Sequence, residues 1–270
     1  MADDPGWVPP GVDPGQANVA RVYDYWLGGT HNFLADQDLG RAMAAVDPNV
    51  RAIARANRAF LGRAVRFLTA AGITQFLDIG SGIPTQGNVH EVAQQDCPGA
   101  RVVYADIDPV AIAHSKAILD GNRSAAIIEG DLREPDAILS HPVTRRLLDA
   151  GQPVGLLLVA VVHFLGDADD PWALVAGLRD RLPPGSYLVL SHATSESRPE
   201  VTRAASVMYR SRVASKGRAR SRAEIEGLLD GFELVDPGLV YLSQWRPGPD
   251  DETPADPSKL WFLAGLGRKP

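Results

Sequence analysis

Two glycines bracket a serine at the end of an apolar stretch, in Phe76-Leu77-Asp78-Ile79-Gly80-Ser81-Gly82-Ile83-Pro84. A strand running into Gly-x-Gly ahead of a helix makes a tight turn. Glycine lets the backbone approach a ligand closely, and the helix N-terminus favours a negative group. Gly80, Ser81 and Gly82 are therefore candidates for a nucleotide cradle, with a plain strand–helix turn as the alternative. A dinucleotide fingerprint asks for a third glycine where Thr85 stands. Asp78, just before the turn, is awkward beside a pyrophosphate but suits a cationic sulfonium and amino group.

A second carboxylate follows roughly 20 residues on, the spacing at which an acid can take both ribose hydroxyls. It is Asp106, closing Arg101-Val102-Val103-Tyr104-Ala105-Asp106. Asp108 is its rival, but Asp108-Pro109 reads as a helix start, with Asp108 as its cap. Asp131, in Gly130-Asp131-Leu132, could accept from an adenine amino group or be a solvated loop acid. Ile107, Leu132 and Val161 complete the set of candidate cofactor contacts. Together these positions favour S-adenosylmethionine over a nicotinamide dinucleotide.

Ligands of open α/β sheets sit outside the carboxyl ends of the strands. His163, after the apolar run at 154–162, thus faces the same crevice and is a candidate general base. A backbone contact to cofactor or a core role is its alternative. His192 follows the next strand and is a weaker candidate, placed with the acceptor. Residues 198–222 hold eight basic residues against one acid, Glu200. With Arg210 at its centre this run could wall the acceptor site and attract an anion, or be a solvated helix face.

Those residues need a scaffold. After Gly72 the chain alternates strand and helix: strands at 75–79, 101–106, 126–129, 154–162 and 186–191, and helices at 85–95, 109–119 and 171–182. This predicts an α/β fold with a parallel sheet and helices on both faces. Three helices precede it, at 18–29, 36–46 and 48–71. Toward the C-terminus a helix at 221–230 precedes strands at 232–235, 240–245 and 259–266, the last two read as an antiparallel hairpin at a sheet edge. The division expected is a flexible tail (1–16), a helical cap (17–72) and a cofactor-binding domain (73–270), cap and domain forming one compact unit.

The 270 residues are 45% hydrophobic and 22% charged, with net charge -6. That composition can build a sizeable core and argues against a whole-molecule nucleic-acid footprint. One cysteine, Cys97, can form neither an intrachain disulfide nor a Cys-rich metal site; a reducing cytoplasm is expected, with no metal. The first residues lack a signal-peptide core, and the longest apolar run is too short for the ~20 residues of a membrane helix.

The Asp78–Gly82 loop, Asp106, Asp131 and the strand order resemble class I adenosylmethionine methyltransferases. More narrowly, RVYDYWLGG with HNF at 21–33, LDIGSGIPTQGNVHEVAQ at 77–94, VVYADIDP at 102–109, VAVVHFLGD at 159–167 and LSHAT at 190–194 resemble the bacterial S-adenosyl methyltransferase family once catalogued as a domain of unknown function. The resemblance implies a Rossmann-like, seven-stranded, mostly parallel sheet whose last strand is antiparallel, and N-terminal helices over the crevice. It implies S-adenosylmethionine as cofactor and S-adenosylhomocysteine as product. Tyr23, Tyr25, Trp26 and His31 would then line the pocket of a small-molecule acceptor, with Tyr23 a second candidate base; core packing is the alternative for these rings. A cofactor-binding module without turnover and an NAD(P)-dependent oxidoreductase are the rival readings.

Overall fold

The computed structural model describes residues 8–9, 12–84, 87–213, 217–249, 251 and 253–270. Three helices come first: α1 (Val19–Leu27), α2 (Leu34–Val46) and α3 (Val50–Ala70). Asn18 starts α1 by accepting the Ala20 amide, and Gly28 ends it at φ 83°, a left-handed cap that glycine adopts without a Cβ clash. The carboxylate of Asp36, wholly buried, accepts the amides of Asn18 and Phe33 and the Arg21 guanidinium, which locks α1 to α2. From α3, Phe60, Leu61, Ala64 and Leu68 share one buried face, at helical spacing.

The alternating part follows as β1 (Gln75–Ile79), α4 (Val89–Asp96), β2 (Arg101–Asp106), α5 (Pro109–Ile118), β3 (Ala125–Glu129), α6 (Pro135–Ser140), α7 (Pro142–Leu147), β4 (Gly155–Val159), α8 (Pro171–Arg181) and β5 (Tyr187–Ala193). Then come α9 (Pro199–Arg212), α10 (Arg222–Gly227), β6 (Glu233–Leu234), β7 (Val240–Tyr241) and β8 (Phe262–Arg268). The sheet order is β3-β2-β1-β4-β5-β8-β6, with β7 also on β8; β1 to β5 are parallel and β8 runs antiparallel to β5. Strand order reverses between β1 and β4, so their carboxyl ends part and open a crevice there.

Each strand sends alternate residues to opposite layers. Phe76 packs with Phe60, Leu68, Val102, Leu157 and Val189, while Leu77 and Ile79 pack with Val103, Leu156, Leu188, Val175 and Leu178. Full burial of such a side chain contributes about 1.5–3 kcal/mol, so both faces hold the strand tips rigidly in place.

Several elements differ from the sequence expectations, among them α9, which no expectation placed. β4 stops at Val159, because Ala160 takes φ 57° and gives its amide to Ser191; the chain then turns through a 3-10 segment, Val162–Phe164. The helix after the glycine turn starts at Val89, where Asn88 and Glu91 form a capping box; Thr85 lies outside the described residues. The closing strands β7 and β8 do pair antiparallel at the sheet edge, with the first shortened to Val240–Tyr241 and the second shifted to Phe262–Arg268. β8 slots between β5 and a broken edge, in which β6 and β7 pair with the two halves of β8. Counted as one edge position, they bring eight strands back to seven places. The two short helices α6 and α7, each with proline in its first turn, were not anticipated. Of the expected tail, residues 1–7, 10 and 11 lie outside the described residues; Val8 and Val12 pack against the Phe33 cluster, and the Gln16 carbonyl accepts from Arg21.

Candidate functional site

Gly80 and Gly82 sit at φ 74° and 67° in the turn after β1. A Cβ on Gly80 would lie 2.3 Å from Val161 Cγ2, so glycine is required by both conformation and space. The turn is tied to β2: Gly80 donates its amide to the Ala105 carbonyl, and Gly82 donates to Asp106 Oδ2 at 2.7 Å. Asp106 Oδ1 takes the Asp108 amide at 2.9 Å. Asp108 itself caps α5 by accepting from Val110 and Ala111, the role its Asp-Pro context suggested.

Burial governs the charges. It pushes the Asp106 carboxyl up to about 6, with backbone amides opposing and Asp108 adding. It pushes Asp78 up to about 7, against the pull of the Arg58 guanidinium. Ser81 Oγ, beside them, is buried and has no hydrogen-bond partner among the described residues.

These groups floor a cavity of about 500 Å³. Its lining brings together Asp78, Gly80, Ser81, Gly82, Asp106, Ile107, Asp131, Leu132 and Val161 from the strand tips. Ile107 keeps 57% of its surface exposed, an apolar plate at the rim. Asp131 is gripped by the Arg133 fork, which holds its carboxyl below the usual range despite partial burial.

His163 and Tyr23 reach the cavity as well, but neither is tuned as a base. Burial, reinforced by the His192 ring and Arg220, drives His163 well below the usual histidine range; its Nδ1 has no partner among the described residues. Burial raises Tyr23, whose hydroxyl donates to the Ala54 carbonyl and accepts from Asn57 Nδ2, both at 3.0 Å. The network continues from Asn57 to Ser191 on β5.

Of the other acceptor candidates, Trp26 also lines the cavity. Tyr25 packs on Gly40 under Arg51, outside it. His31 stacks on His114, with ring centroids 3.7 Å apart. His192 is fully buried, its ring held between the Ala193 carbonyl and Arg220, and burial pushes it down to about 3. That leaves no ring nitrogen for a substrate. Arg210 is exposed on α9 and does not line the cavity.

The basic run is mostly structural. Arg198 pairs with Asp47, Arg218 with Asp167 and Glu224, Arg222 with Glu226, and Arg220 lies wholly buried against the Val162 and Leu165 carbonyls and Asp167. Lys216 lies outside the described residues. The side of α9 facing the cavity carries Thr202, Ala205, Ser206 and Tyr209 instead. Sequence reasoning missed this face, and missed Arg58, whose Nε is buried without a partner among the described residues and whose charge acts on Asp78. The i, i+3, i+4, i+7 spacing from Thr202 was the available signal.

A turn closed to a Cβ at Gly80, a buried serine hydroxyl without a partner among the described residues and two buried carboxyls fit an adenosylated amino acid better than a pyrophosphate. The comparisons decide the matter. The sequence profile described as S-adenosyl methyltransferase matches residues 5–270. The chain belongs to the S-adenosyl methyltransferase family. A candidate methyltransferase from Thermobifida fusca is 42% identical, with TM-score 0.91 over 97% of this chain and 98% of its own. A DUF574 family protein from Streptomyces avermitilis is 39% identical, with TM-score 0.92 over 96% and 99%. Human N-acetylserotonin methyltransferase, solved with S-adenosylmethionine, is 17% identical with TM-score 0.51 over 94% of this chain and 63% of its own, and shares the fold. No curated protein matches the chain. This S-adenosyl methyltransferase is an enzyme that uses S-adenosylmethionine. Among its described residues no helix is long and apolar enough to cross a membrane.

Proposed function

We propose that this methyltransferase acts on a small-molecule acceptor, with its cofactor lying across the tips of β1 to β3 and the acceptor beneath α1 and α9. The observation that carries the reading is the Asp106–Gly82 tie at 2.7 Å, which sets a ribose-binding carboxylate against a glycine cradle. Asp78 would face the cofactor's ammonium and Arg58 stands beside it. Asp106 keeps lone pairs for two ribose hydroxyls, since a carboxylate has about four acceptor sites. Ile107 and Leu132 would hold the adenine from either side, and Asp131 would take its amino group when Arg133 yields.

S-adenosylmethionine supplies, when bound, a methyl group already activated on a cationic sulfur. The chain's part is orientation, exclusion of water and placement of the acceptor, a class of effect able to supply about 7–11 kcal/mol. His163 stays neutral and Tyr23 stays protonated, so neither withdraws a proton strongly at neutral pH. The acceptor atom must therefore bring its own lone pair, and its proton leaves for solvent or for a weakly basic His163. The paired basic run argues against our expectation of an anionic acceptor.

We place residues 17–72 as a cap over a cofactor-binding unit at 73–270, the two acting as one body. The single thiol, Cys97, and the net charge of -6 support a cytoplasmic protein without a nucleic-acid partner. Calorimetry with S-adenosylmethionine and S-adenosylhomocysteine, followed by assay of S-adenosylhomocysteine release across acceptor panels, tests the reading. Tight cofactor binding with no turnover on any panel would favour a binding module instead.

A further inference from the structure

Five rings form a continuous arc along one side of the cavity, and all five belong to its lining. Tyr209 on α9 meets Phe164 at 6.0 Å between centroids, and Phe164 meets His163 at 4.2 Å. His163 meets Phe262 at 5.2 Å, and Phe262 meets Trp261 at 5.2 Å. The arc begins where the 3-10 turn follows β4 and ends where β8 begins, past the tips of β4 and β5. That is the half of the cavity left over once the carboxylates and glycines of β1 to β3 have taken the cofactor.

Two features single this wall out from ordinary core. It carries no unpaired charge: Arg218 is fixed by Asp167 and Glu224, the Asp47 carboxylate that accepts from the Trp261 indole is paired with Arg198, and burial keeps the His163 ring neutral. It also carries a hydroxyl that the fold does not use. Tyr209 OH makes no hydrogen bond among the described residues, and burial alone pushes its pKa up, keeping it a donor. Tyr209 is half-buried and lines the cavity, so its unused hydroxyl is open to a ligand atom. Aromatic side chains prefer ring partners at centroid distances of about 4.5–7 Å.

We propose that the acceptor is an uncharged molecule with a flat aromatic ring, seated on the Tyr209–Phe164–His163–Phe262–Trp261 arc, with an oxygen or nitrogen lone pair accepting from the Tyr209 hydroxyl. The proposal rests on the methyltransferase reading and adds the chemical class of its acceptor. The ring lies along the arc, and the Tyr209 hydrogen bond fixes its rotation toward the cofactor.

The test is calorimetry on the full chain saturated with S-adenosylhomocysteine, using three probes: 2-naphthol, 2-naphthoate and 1-octanol. The expected result is that 2-naphthol binds at least tenfold tighter than either of the others. Tyr209→Phe should weaken 2-naphthol about tenfold, and Phe164→Leu should weaken it while sparing 1-octanol, both with unchanged melting temperature. Preference for 2-naphthoate would overturn the proposal in favour of an anionic acceptor, and preference for 1-octanol in favour of an aliphatic one. Absence of binding by all three, or 2-naphthol affinity indifferent to both variants, would also overturn it. These failures differ from that of the cofactor reading, which would show as no binding of S-adenosylhomocysteine in the first titration.

Discussion

Asp106 Oδ2 accepts the amide of Gly82 at 2.7 Å, so the tip of β2 and the turn after β1 form one rigid piece. A single carboxylate thereby shapes the glycine turn and, in the proposed reading, would present acceptor sites to the cofactor's ribose. Asp106→Ala removes both functions. S-adenosylhomocysteine affinity should fall by about 1–3 kcal/mol, the scale of a hydrogen bond to a charged group. Calorimetry checks this, and an unchanged dissociation constant would detach Asp106 from the ribose.

Asp78 makes the cofactor affinity depend on pH. Its carboxyl titrates near 7 in the free protein, and only the ionised form attracts an ammonium. S-adenosylmethionine affinity should rise with pH up to about 7, by at most tenfold per unit. It should fall again above about 8, as an α-amino group loses its proton. Asp78→Asn should flatten the acidic limb only. Since the folded value lies above the ordinary carboxylate one, Asp78 destabilises the free protein increasingly as pH climbs from about 4 to 7. Urea unfolding of Asp78→Asn should therefore show a gain over the parent at pH 8 that vanishes near pH 4.

Gly80→Ala should cost stability twice over. The positive φ costs an L-residue roughly 1–2 kcal/mol, and the clash with Val161 adds about 1–3 kcal/mol of overpacking. Pairing it with Val161→Ala should return the steric part and leave the conformational part. Additive losses in the double variant, read from denaturant midpoints, would contradict the contact.

Arg220 is a buried cation holding the turn after β4 to the end of β5: its guanidinium meets Val162, Leu165, Asp167 and His192, and its amide donates to Ala193. Arg220→Ala leaves those acceptors dry and should cost roughly 3–5 kcal/mol. Asp167→Ala should cost less, because that carboxylate is half exposed. Equal losses in thermal unfolding would place the stabilisation in the ion pair rather than in the carbonyl contacts.

The strand tips were legible because their chemistry is local: Asp78 precedes its glycines in the chain, and Asp106 closes its own strand. The alternation of strands and helices was legible for the same reason, down to the cap at Asp108. What escaped depends on partners far away in sequence. Arg198 reaches Asp47, 151 residues distant, and Arg63 on α3 reaches the Trp245 carbonyl, 182 residues distant. A run of arginines therefore reads as free charge until its acids are seen. Tyr209 escaped differently, hidden among those arginines on the opposite face of one helix. The end of β4 was misjudged because apolar residues continue through Val162 while Ala160 breaks the strand by conformation, not by composition.

A crystal structure with S-adenosylhomocysteine asks the central question most directly. The account requires the ligand to span the Gly80–Gly82 turn, both ribose hydroxyls within hydrogen-bond distance of Asp106 and its amino group toward Asp78. Density lodged elsewhere, or a ribose turned away from Asp106, would contradict it.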